Sequence, residues 1–277
     1  MSGDFLEQMA QASRARVRAA QAQRSVAVLE RAAQAASAAP PLRLDPAGFD
    51  LIAELKLRSP AQGALRGPDE DVAGRVHAYA RAGAAAVSVL TEPQRFDGSL
   101  EHLCSAARAL APVGVPAMRK DFLVDPYQVL EARAAGAGGV LIILRMLPRA
   151  TSEALIECAR ACQLLVLLEA FDAADIALMH ELVARFAAGV QLLAGLNCRD
   201  LGTLKVVPGR LAQLAPLLPR AVPRVAESGV ATPADARAVA AAGYQLALVG
   251  SALMQGEDPE SLAAQLLAAG RAASGGR

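Results

Sequence analysis

The chain has 277 residues, of which 54% are hydrophobic and 20% are charged, and its formal net charge is +1. This composition is typical of a globular protein with a large buried core and excludes a disordered chain. A net charge so close to zero gives no reason to expect nucleic acid or an anionic membrane as a partner.

The first 45 residues are predicted to form a helical extension and a linker. Residues 4–35 have helical spacing, and Pro40-Pro41 prevents the helix from continuing. The Arg- and Ala-rich face of this segment could suggest a transit peptide, but Asp4 and Glu7 favour a surface helix. No apolar run has the length of a signal-peptide core or a membrane span. The four cysteines, taken as buried thiols, fit a reduced, cytoplasmic setting.

From residue 46 onward, short apolar runs alternate with helical segments. Their starts are roughly 22–35 residues apart, which is the spacing of a βα unit. Ala-Gly pairs at 82–83, 135–136 and 242–243 are expected to end helices. The predicted strands cover residues 49–57, 84–92, 115–122, 138–145, 164–170, 192–200, 222–229 and 245–252.

Eight such units predict an α/β fold, a (β/α)8 TIM barrel that follows the N-terminal helical extension. The barrel is expected to be a single catalytic domain spanning residues 46–272. An open doubly wound sheet is the alternative. It usually carries a glycine-rich fingerprint after the first strand, and SPAQGALRG does not have that pattern.

Charged residues at strand ends indicate where chemistry could take place. In the stretch AELKLRSPAQG, Glu54 and Lys56 share one face of the first strand, opposite the apolar residues that suit the surrounding helices. A single charged residue at a strand end is usually structural. However, polar residues also end four other strands, and barrel enzymes build their sites at this edge. These residues are Lys120, Glu169, Asn197 with Arg199, and Glu227.

A phosphate site is predicted after the last two strands, where VAESGV and LVGSAL each place glycine beside serine. Either pair alone is weak evidence, since small residues also form tight turns. Two lysines and three carboxylates at one mouth favour proton transfer or dehydration on a sugar-phosphate-like molecule, although a lysine Schiff base is also possible. The four cysteines and three histidines are scattered, so buried thiols are favoured over a metal site.

Seven segments, in order along residues 50–254, together resemble the indole-3-glycerol phosphate synthase family. The N-terminal helical extension also resembles helices that help to cover the active site in that family. E-x-K-x-x-S-P, R-K-D-F, N-x-R-D-L and A-E-S-G are not shared as a set with other phosphate-binding barrels. The segments are AELKLRSPAQG, SVLTEPQRFDGS, MRKDFLVDPYQV, LLVLLEAFD, LNCRDL, VAESGV and LVGSALM.

The resemblance implies a carboxy-lyase of tryptophan biosynthesis. The family closes an indole ring on 1-(2-carboxyphenylamino)-1-deoxy-D-ribulose 5-phosphate, with loss of carbon dioxide and water. By motif position, Lys120 would be the general acid that activates the ribulose carbonyl, and Glu169 would act in the later dehydration. Glu54 and Asn197 would hold sugar hydroxyls and orient the lysines, while Lys56 would contact the anionic groups of the substrate.

The resemblance also implies binding roles for other residues. Ser59, with the adjacent Pro60, and Arg199 would bind the anthranilate carboxylate, which suits a guanidinium fork. A phosphorylated small-molecule substrate is expected, with no cofactor and no metal, in a monomer or weak homodimer. The remaining residues are Glu227 and Ser228 in the sugar pocket, Gly229, Gly250 and Ser251 on the phosphate, and Phe96, Phe122 and Leu141 against the aromatic ring, where core packing is the alternative role.

Three positions depart from the family pattern. Leu57 and Gln62 stand where the family often has basic residues, and Ala61 stands where a second serine is common. These changes bear on the first loop more than on the chemistry. The rival functions are a Schiff-base lyase or aldolase on a phosphosugar, with Lys120 or Lys56 as nucleophile, and a non-catalytic barrel that binds a phosphorylated ligand.

Overall fold

In a computed structural model, residues 2–46, 48–200 and 203–274 are described. Met1 of the predicted extension and Leu201 at the end of LNCRDL therefore lie outside the described residues. Within the described part of the chain, no helix combines the length and apolar character needed to cross a bilayer.

Eight parallel strands form a closed barrel with helices between them, which confirms the predicted fold. The first strand pairs with both the second and the last, so the sheet has no free edge. Each predicted strand is found in its place. In chain order, the barrel strands are β1 (Asp50–Leu55), β2 (Ala86–Leu90), β3 (Ala117–Lys120), β4 (Gly139–Ile143), β5 (Leu165–Ala170), β6 (Leu192–Asn197), β7 (Arg224–Glu227) and β8 (Leu246–Val249).

The helices lie outside this barrel and before it. The loop after β1 carries a small hairpin of Arg58–Ser59 and Gly63–Ala64. Short 3₁₀ turns cover Ala111–Val113, Leu144–Met146 and Ala215–Leu217. The helices are α1 (Ser2–Gln23), α2 (Val26–Ala35), α3 (Val72–Arg81), α4 (Pro93–Phe96), α5 (Leu100–Leu110), α6 (Pro126–Ala134), α7 (Arg149–Ala161), α8 (Ala173–Phe186), α9 (Arg210–Leu214), α10 (Pro233–Ala241), α11 (Ser251–Gln255) and α12 (Pro259–Ser274).

Polar side chains mark where the helices start, and glycines mark where several end. Asp125 caps α6 by accepting a hydrogen bond from the amide of Tyr127, and Thr232 forms a capping box at α10 with Asp235. Each of the three predicted Ala-Gly pairs follows a helix, and Gly83 has a φ of +94°. The local sequence therefore sets the length of each βα unit.

Alternation along each strand divides the core into two layers. On β1, Leu51, Ala53 and Leu55 pack with residues of the surrounding helices, whereas Ile52 packs inside the barrel with Met118 and other inward-facing side chains. Since Glu54 shares the parity of Ile52, it is directed into the barrel. The face predicted for Glu54 is confirmed.

The strands are shorter at their C-terminal ends than predicted. The sixth prediction ran to residue 200, but β6 ends at Asn197, and Arg199 forms only an isolated bridge with Val206. The seventh prediction ran to Gly229, whereas β7 ends at Glu227 and Ser228 has a φ of 64°. At this edge the chain leaves the ladder and turns its polar residues over the barrel interior.

The extension consists of two helices where the sequence predicted one helical segment. Helix α1 ends at Gln23, and Ser25 is extended, with φ −63° and ψ 153°, before α2 begins. Helix α2 packs against α6 through Leu29, Ala33, Tyr127 and Leu130. The break allows α1 and α2 to follow different parts of the barrel surface.

Candidate active site

A cavity of about 290 Å³ opens at the C-terminal ends of the barrel strands. It is lined by every residue that the sequence placed in a site. Because these residues come from most of the strand ends and their loops, only barrel closure brings them together. They are Glu54, Lys56, Ser59, Pro60, Phe96, Lys120, Phe122, Leu141, Glu169, Asn197, Arg199, Glu227, Ser228, Gly229, Gly250 and Ser251.

The charges at the end of the first strand are paired in two different ways. Lys56 Nζ lies 2.7 Å from Glu54 Oε1, and both side chains are almost fully buried. Arg58 instead turns outward and bonds Asp97 of the second loop, at 2.7 Å between Nε and Oδ2. The first pair thus places charge inside the cavity, and the second connects two exposed loops at its rim.

Lys120 lies between two buried carboxylates. Its Nζ is 3.6 Å from Glu169 Oε2 and 3.6 Å from Glu227 Oε2. Burial opposes the charged amine, but Glu169, Glu227 and Glu54 outweigh that effect and raise the pKa of Lys120. At neutral pH the lysine therefore carries a proton that it can donate.

The surroundings of Glu227 disfavour its charged form. Burial, followed by the nearby charge of Glu169, raises the pKa of Glu227 well above its usual range. Neither carboxyl oxygen of Glu227 has a hydrogen-bond partner among the described residues. A ligand hydroxyl at this position would satisfy these oxygens.

A line of polar contacts fixes Glu169 and its neighbours. Asn197 Nδ2 donates to Glu169 Oε1 at 2.5 Å, and the backbone amide of Arg199 donates to Asn197 Oδ1 at 2.9 Å. The guanidinium of Arg199 donates to the carbonyl of Leu204 at 2.7 Å. Since one oxygen of Glu169 is held, the other remains directed toward Lys120.

Small residues form the opposite wall, where the sequence predicted a phosphate. Ser228 and Gly229 have consecutive positive φ values of 64° and 74°. Gly250 precedes the short helix α11, which begins at Ser251. A Cβ on Gly250 would lie 2.2 Å from Glu54 Oε1, so glycine there also leaves room for the carboxylate.

Phe122 is the centre of the aromatic side of the cavity. Its ring centroid is 6.1 Å from that of Phe96 and 6.0 Å from that of Phe5, which it meets edge-on. Phe5 belongs to α1 and was not predicted as a site residue. The sequence pattern gives no indication of this contact, because no periodicity relates residue 5 to residue 122.

Other lining residues were missed although a signal for them existed. Leu90, Ile143 and Leu248 share the inward parity of their strands, so alternation alone would have identified them. Phe171 follows Glu169 and Ala170 in the EAFD segment, and Arg145 lies over its ring at 4.7 Å. These four side chains are apolar, so they contribute to the shape of the cavity and add no charge to it.

The three departures in the first loop fall in two different environments. Leu57 is buried in the layer that faces the helices, and an apolar side chain therefore suits its position. Ala61 and Gln62 line the cavity directly. Of the two positions where a basic residue was expected, position 62 thus lines the cavity and position 57 does not.

Behind Lys120, a buried network joins the barrel to the extension. Both oxygens of Asp121 bind the guanidinium of Arg16 on α1, at 2.7 and 3.1 Å. Thr91 and Arg119 also donate to Asp121, at 2.7 and 3.1 Å. Although burial opposes ionisation, Arg119 and Arg16 lower the pKa of Asp121 to about 2. The residue that follows Lys120 is thereby fixed as a carboxylate.

The thiols and the remaining ionisable groups form no evident metal centre. Within the described ranges, no group of three or more His, Cys, Asp or Glu residues could hold a metal ion. Cys198 is buried, and Cys104, Cys158 and Cys162 are half-buried free thiols. The expectation of buried thiols is therefore correct for Cys198 alone.

Comparisons with known proteins point to one family. A family model described as indole-3-glycerol phosphate synthase matches residues 6–266. A protein of that name from Mycobacterium sp. (strain KMS) is 40% identical over 273 residues, covering 97% of this chain and 96% of its own. One from Kineococcus radiotolerans is 44% identical over 223 residues, covering 80% and 77% of the two chains.

Solved structures of lower sequence similarity share the fold. A 3-hexulose-6-phosphate synthase from Salmonella typhimurium superposes with a TM-score of 0.61 at 13% identity, covering 81% of this chain and 100% of its own. A thiamine phosphate pyrophosphorylase from Pyrococcus furiosus gives 0.58 at 16% identity, covering 83% and 99%. At such identities the likeness concerns the barrel alone.

Proposed function

The chain belongs to the indole-3-glycerol phosphate synthase family, and we propose how its cavity carries out the family's reaction. That reaction closes the indole ring of 1-(2-carboxyphenylamino)-1-deoxy-D-ribulose 5-phosphate with loss of carbon dioxide and water, a step of tryptophan biosynthesis. The observation that supports the proposal most is the position of Lys120, 3.6 Å from each of two buried carboxylates. An amine held charged at this point can protonate an oxygen of the substrate.

In the proposed mechanism, Lys120 donates a proton to the ribulose carbonyl as the aromatic ring attacks it. The carboxylate of the anthranilate ring leaves as carbon dioxide. The ring-closed intermediate then loses a hydroxyl and a proton as water, and Glu169, oriented by Asn197, is the acid that protonates the hydroxyl or the base that accepts the proton. Glu54 keeps Lys56 in place through their 2.7 Å contact, and Lys56 attracts the anionic groups of the substrate.

The other cavity residues are proposed to bind the substrate. Arg199, with Ser59 and Pro60, binds the anthranilate carboxylate, for which a guanidinium fork is suited. The backbone at Gly229, Gly250 and Ser251 holds the phosphate, and Glu227 and Ser228 bind the sugar. Phe96, Phe122 and Leu141 contact the aromatic ring.

The organisation around the cavity is part of the same proposal. Residues 46–272 form a single catalytic domain, and the extension of residues 1–45 covers the cavity on the side of Phe5. We propose that the protein works in the cytoplasm as a monomer or weak homodimer, on a phosphorylated small molecule. The proposed steps use side chains alone, and neither nucleic acid nor a membrane takes part in them.

The rival functions fit the site less well. A Schiff base needs a neutral amine, whereas the carboxylates around Lys120 raise its pKa. A barrel that only binds a ligand has no need for a lysine between two buried carboxylates, which are costly to bury. The rivals can be separated by direct experiment.

The test is turnover by the purified chain with the carboxyphenylamino ribulotide. The chain has no Trp, so indole fluorescence should rise from a low background. Lys120→Met should abolish turnover, whereas Lys205→Met, which removes an exposed amine, should leave it unchanged. Wild-type turnover in Lys120→Met would refute the mechanism, and no turnover by the wild type would favour the binding barrel. A lysine adduct trapped with borohydride would favour the lyase.

A further inference from the structure

Phe171 lines the active-site cavity beside the acid–base residues. It follows β5 directly and lies two residues after Glu169, so its side chain continues the inward face of that strand. The ring is 2% exposed and packs with Leu141 and Ile143 of the neighbouring strand. An aromatic side chain that carries no proton thus forms part of the wall next to Glu169.

Large apolar side chains line one arc of the cavity rim. Phe96 comes after β2 and Phe122 after β3, and neighbouring strands of the closed barrel follow chain order. Leu141 of β4 and Phe171 after β5 continue the same arc. The next strand, β6, contributes the polar side chain of Asn197 instead. Phe171 is therefore the last member of the arc before the polar residues of β6.

Arg145, on the 3₁₀ turn after β4, contacts both the ring of Phe171 and the carboxylate that binds its backbone. The guanidinium carbon of Arg145 is 4.7 Å from the ring centroid, within the range of a cation–π contact. Its Nε and Nη2 lie 2.8 and 2.7 Å from Asp175 Oδ2, and the same oxygen accepts the amide of Phe171 at 2.8 Å. Asp172 is a second partner of the guanidinium. Arg145 does not itself line the cavity, so it would act on a bound ligand through Phe171.

We propose that Phe171 is a specificity-determining residue that bounds the aromatic ring of the substrate at the β5 end of this arc, and that Arg145 is the positioning residue that fixes the phenyl ring. The inference rests on the proposed function, because it takes the carboxyphenylamino ribulotide as the substrate. A larger ligand could displace the phenyl ring only by breaking the contacts of Arg145 and Asp175. The cavity therefore rejects substituents on the part of the substrate ring that faces Phe171.

A methyl group on the benzene ring of the ribulotide is a probe of the right size. One methylene group in a hydrophobic pocket changes kcat/KM by about 10–200-fold. The ring has a free position at each carbon that bears neither the carboxylate nor the amine, and a methyl group at each of these gives a set of monomethyl isomers. We expect the wild type to disfavour at least one isomer by ~10-fold or more in kcat/KM, relative to the unsubstituted ribulotide.

The first variant is Phe171→Leu, which removes the ring but keeps an apolar side chain, a change that barrel cores tolerate. The smaller side chain leaves room for a methyl group. We therefore expect kcat/KM for a disfavoured isomer, divided by that for the unsubstituted ribulotide, to rise by about 10-fold. A general loss of stability would lower the turnover of every compound alike and leave this ratio unchanged.

The second variant is Arg145→Met, and the chain offers a matched control for it. Arg185 lies over the ring of Phe186 at 4.9 Å, and neither of these residues lines the cavity. Arg145→Met should raise the same ratio by at least ~3-fold, because the phenyl ring is no longer held, whereas Arg185→Met should leave it unchanged. If Arg145→Met does not fold, Arg145→Lys makes the same test, since an amine cannot bind Asp175 through two nitrogens.

Three results would contradict the proposal while leaving the proposed function intact. The role of Phe171 is overturned if the wild type accepts all the methyl isomers as well as the unsubstituted ribulotide, or if Phe171→Leu shows the same ratios as the wild type. The role of Arg145 is overturned if its replacement changes the ratios no more than Arg185→Met does. No turnover of the unsubstituted ribulotide by the wild type would instead refute the proposed function, and this inference with it.

Discussion

Replacement of Arg16 by alanine should release α1 from the segment that follows Lys120. Arg16 is 27% exposed in its side chain, while the Asp121 side chain that it binds is fully buried. Its guanidinium makes two bonds to that carboxylate, at 2.7 and 3.1 Å. The Arg16→Ala variant therefore removes one partner of a buried charge and leaves Arg119 and Thr91 as the others.

The magnitude follows from the pKa of Asp121. Its value of about 2, against the ordinary 3.8, corresponds to roughly 2.5 kcal/mol of net stabilisation, which remains after the cost of burial is subtracted from the effect of its partners. Arg119 and Arg16 are the charged groups that lower this pKa. Since a hydrogen bond to a charged group contributes roughly 1.5–3 kcal/mol, we expect Arg16→Ala to cost about 1–2 kcal/mol.

The effect of pH provides a second check on the same contact. A carboxyl whose folded pKa is lowered contributes its full stability above the unfolded pKa and loses it as pH falls through the folded value. The difference between Arg16→Ala and the wild type should thus be constant above about pH 5 and should shrink from about pH 4 toward pH 2.

Two measurements test this prediction. The first is urea unfolding, and the second is amide hydrogen exchange, which should show faster exchange in α1 if the helix undocks. Arg18→Ala is the matched control, because Arg18 is exposed on the same helix. If the amide hydrogens of α1 exchange at the same rate in Arg16→Ala and Arg18→Ala, the contact with Asp121 does not hold the extension in place.

The remaining predictions concern the acid–base cluster and the packing of the barrel. Glu169→Gln should lower turnover by about 10²–10⁴-fold with little change in substrate affinity, and a fall in affinity alone would make Glu169 a binding residue. Burial and the charge of Glu169 raise the pKa of Glu227, so we expect Glu227→Gln to leave the melting temperature at neutral pH nearly unchanged; a large loss would show that the fold depends on the charge of Glu227. Gly270→Ala would place a Cβ 2.0 Å from the buried ring of Phe49 and should cost about 1–3 kcal/mol in urea unfolding, whereas Gly67→Ala, where nothing lies within 4 Å, should cost far less.

The convergence of strand-end residues could be predicted from the sequence because two simple rules apply together. Alternation fixes which residues of a strand face the interior, and barrel closure brings the ends of all strands to one rim. Lys120, Glu169 and Glu227 are far apart in the chain, yet their positions at strand ends were enough to predict that they meet.

The extension could not be placed in the same way. Arg16 and Asp121 are 105 residues apart, and the spacing of neither residue indicates the other. The break between α1 and α2 was missed as well, because Arg24 and Ser25 interrupt a helical pattern without proline or glycine. Contacts between separately folded elements depend on their docking, and local periodicity contains no information on it.

Two glycines beside the cavity show that a sequence motif does not by itself reveal why a glycine is needed at its position. Gly250 was predicted from its Gly-Ser pair to bind phosphate, and its φ of −121° lies outside the left-handed region that favours glycine. Space accounts for glycine at this position, since a Cβ would lie 2.2 Å from Glu54 Oε1. Gly195 was not predicted as a site residue, and a Cβ there would likewise lie 2.2 Å from Glu227 Oε1. Each glycine leaves room for a carboxylate of the acid–base cluster, so the position of these acids depends on residues that carry no chemistry of their own.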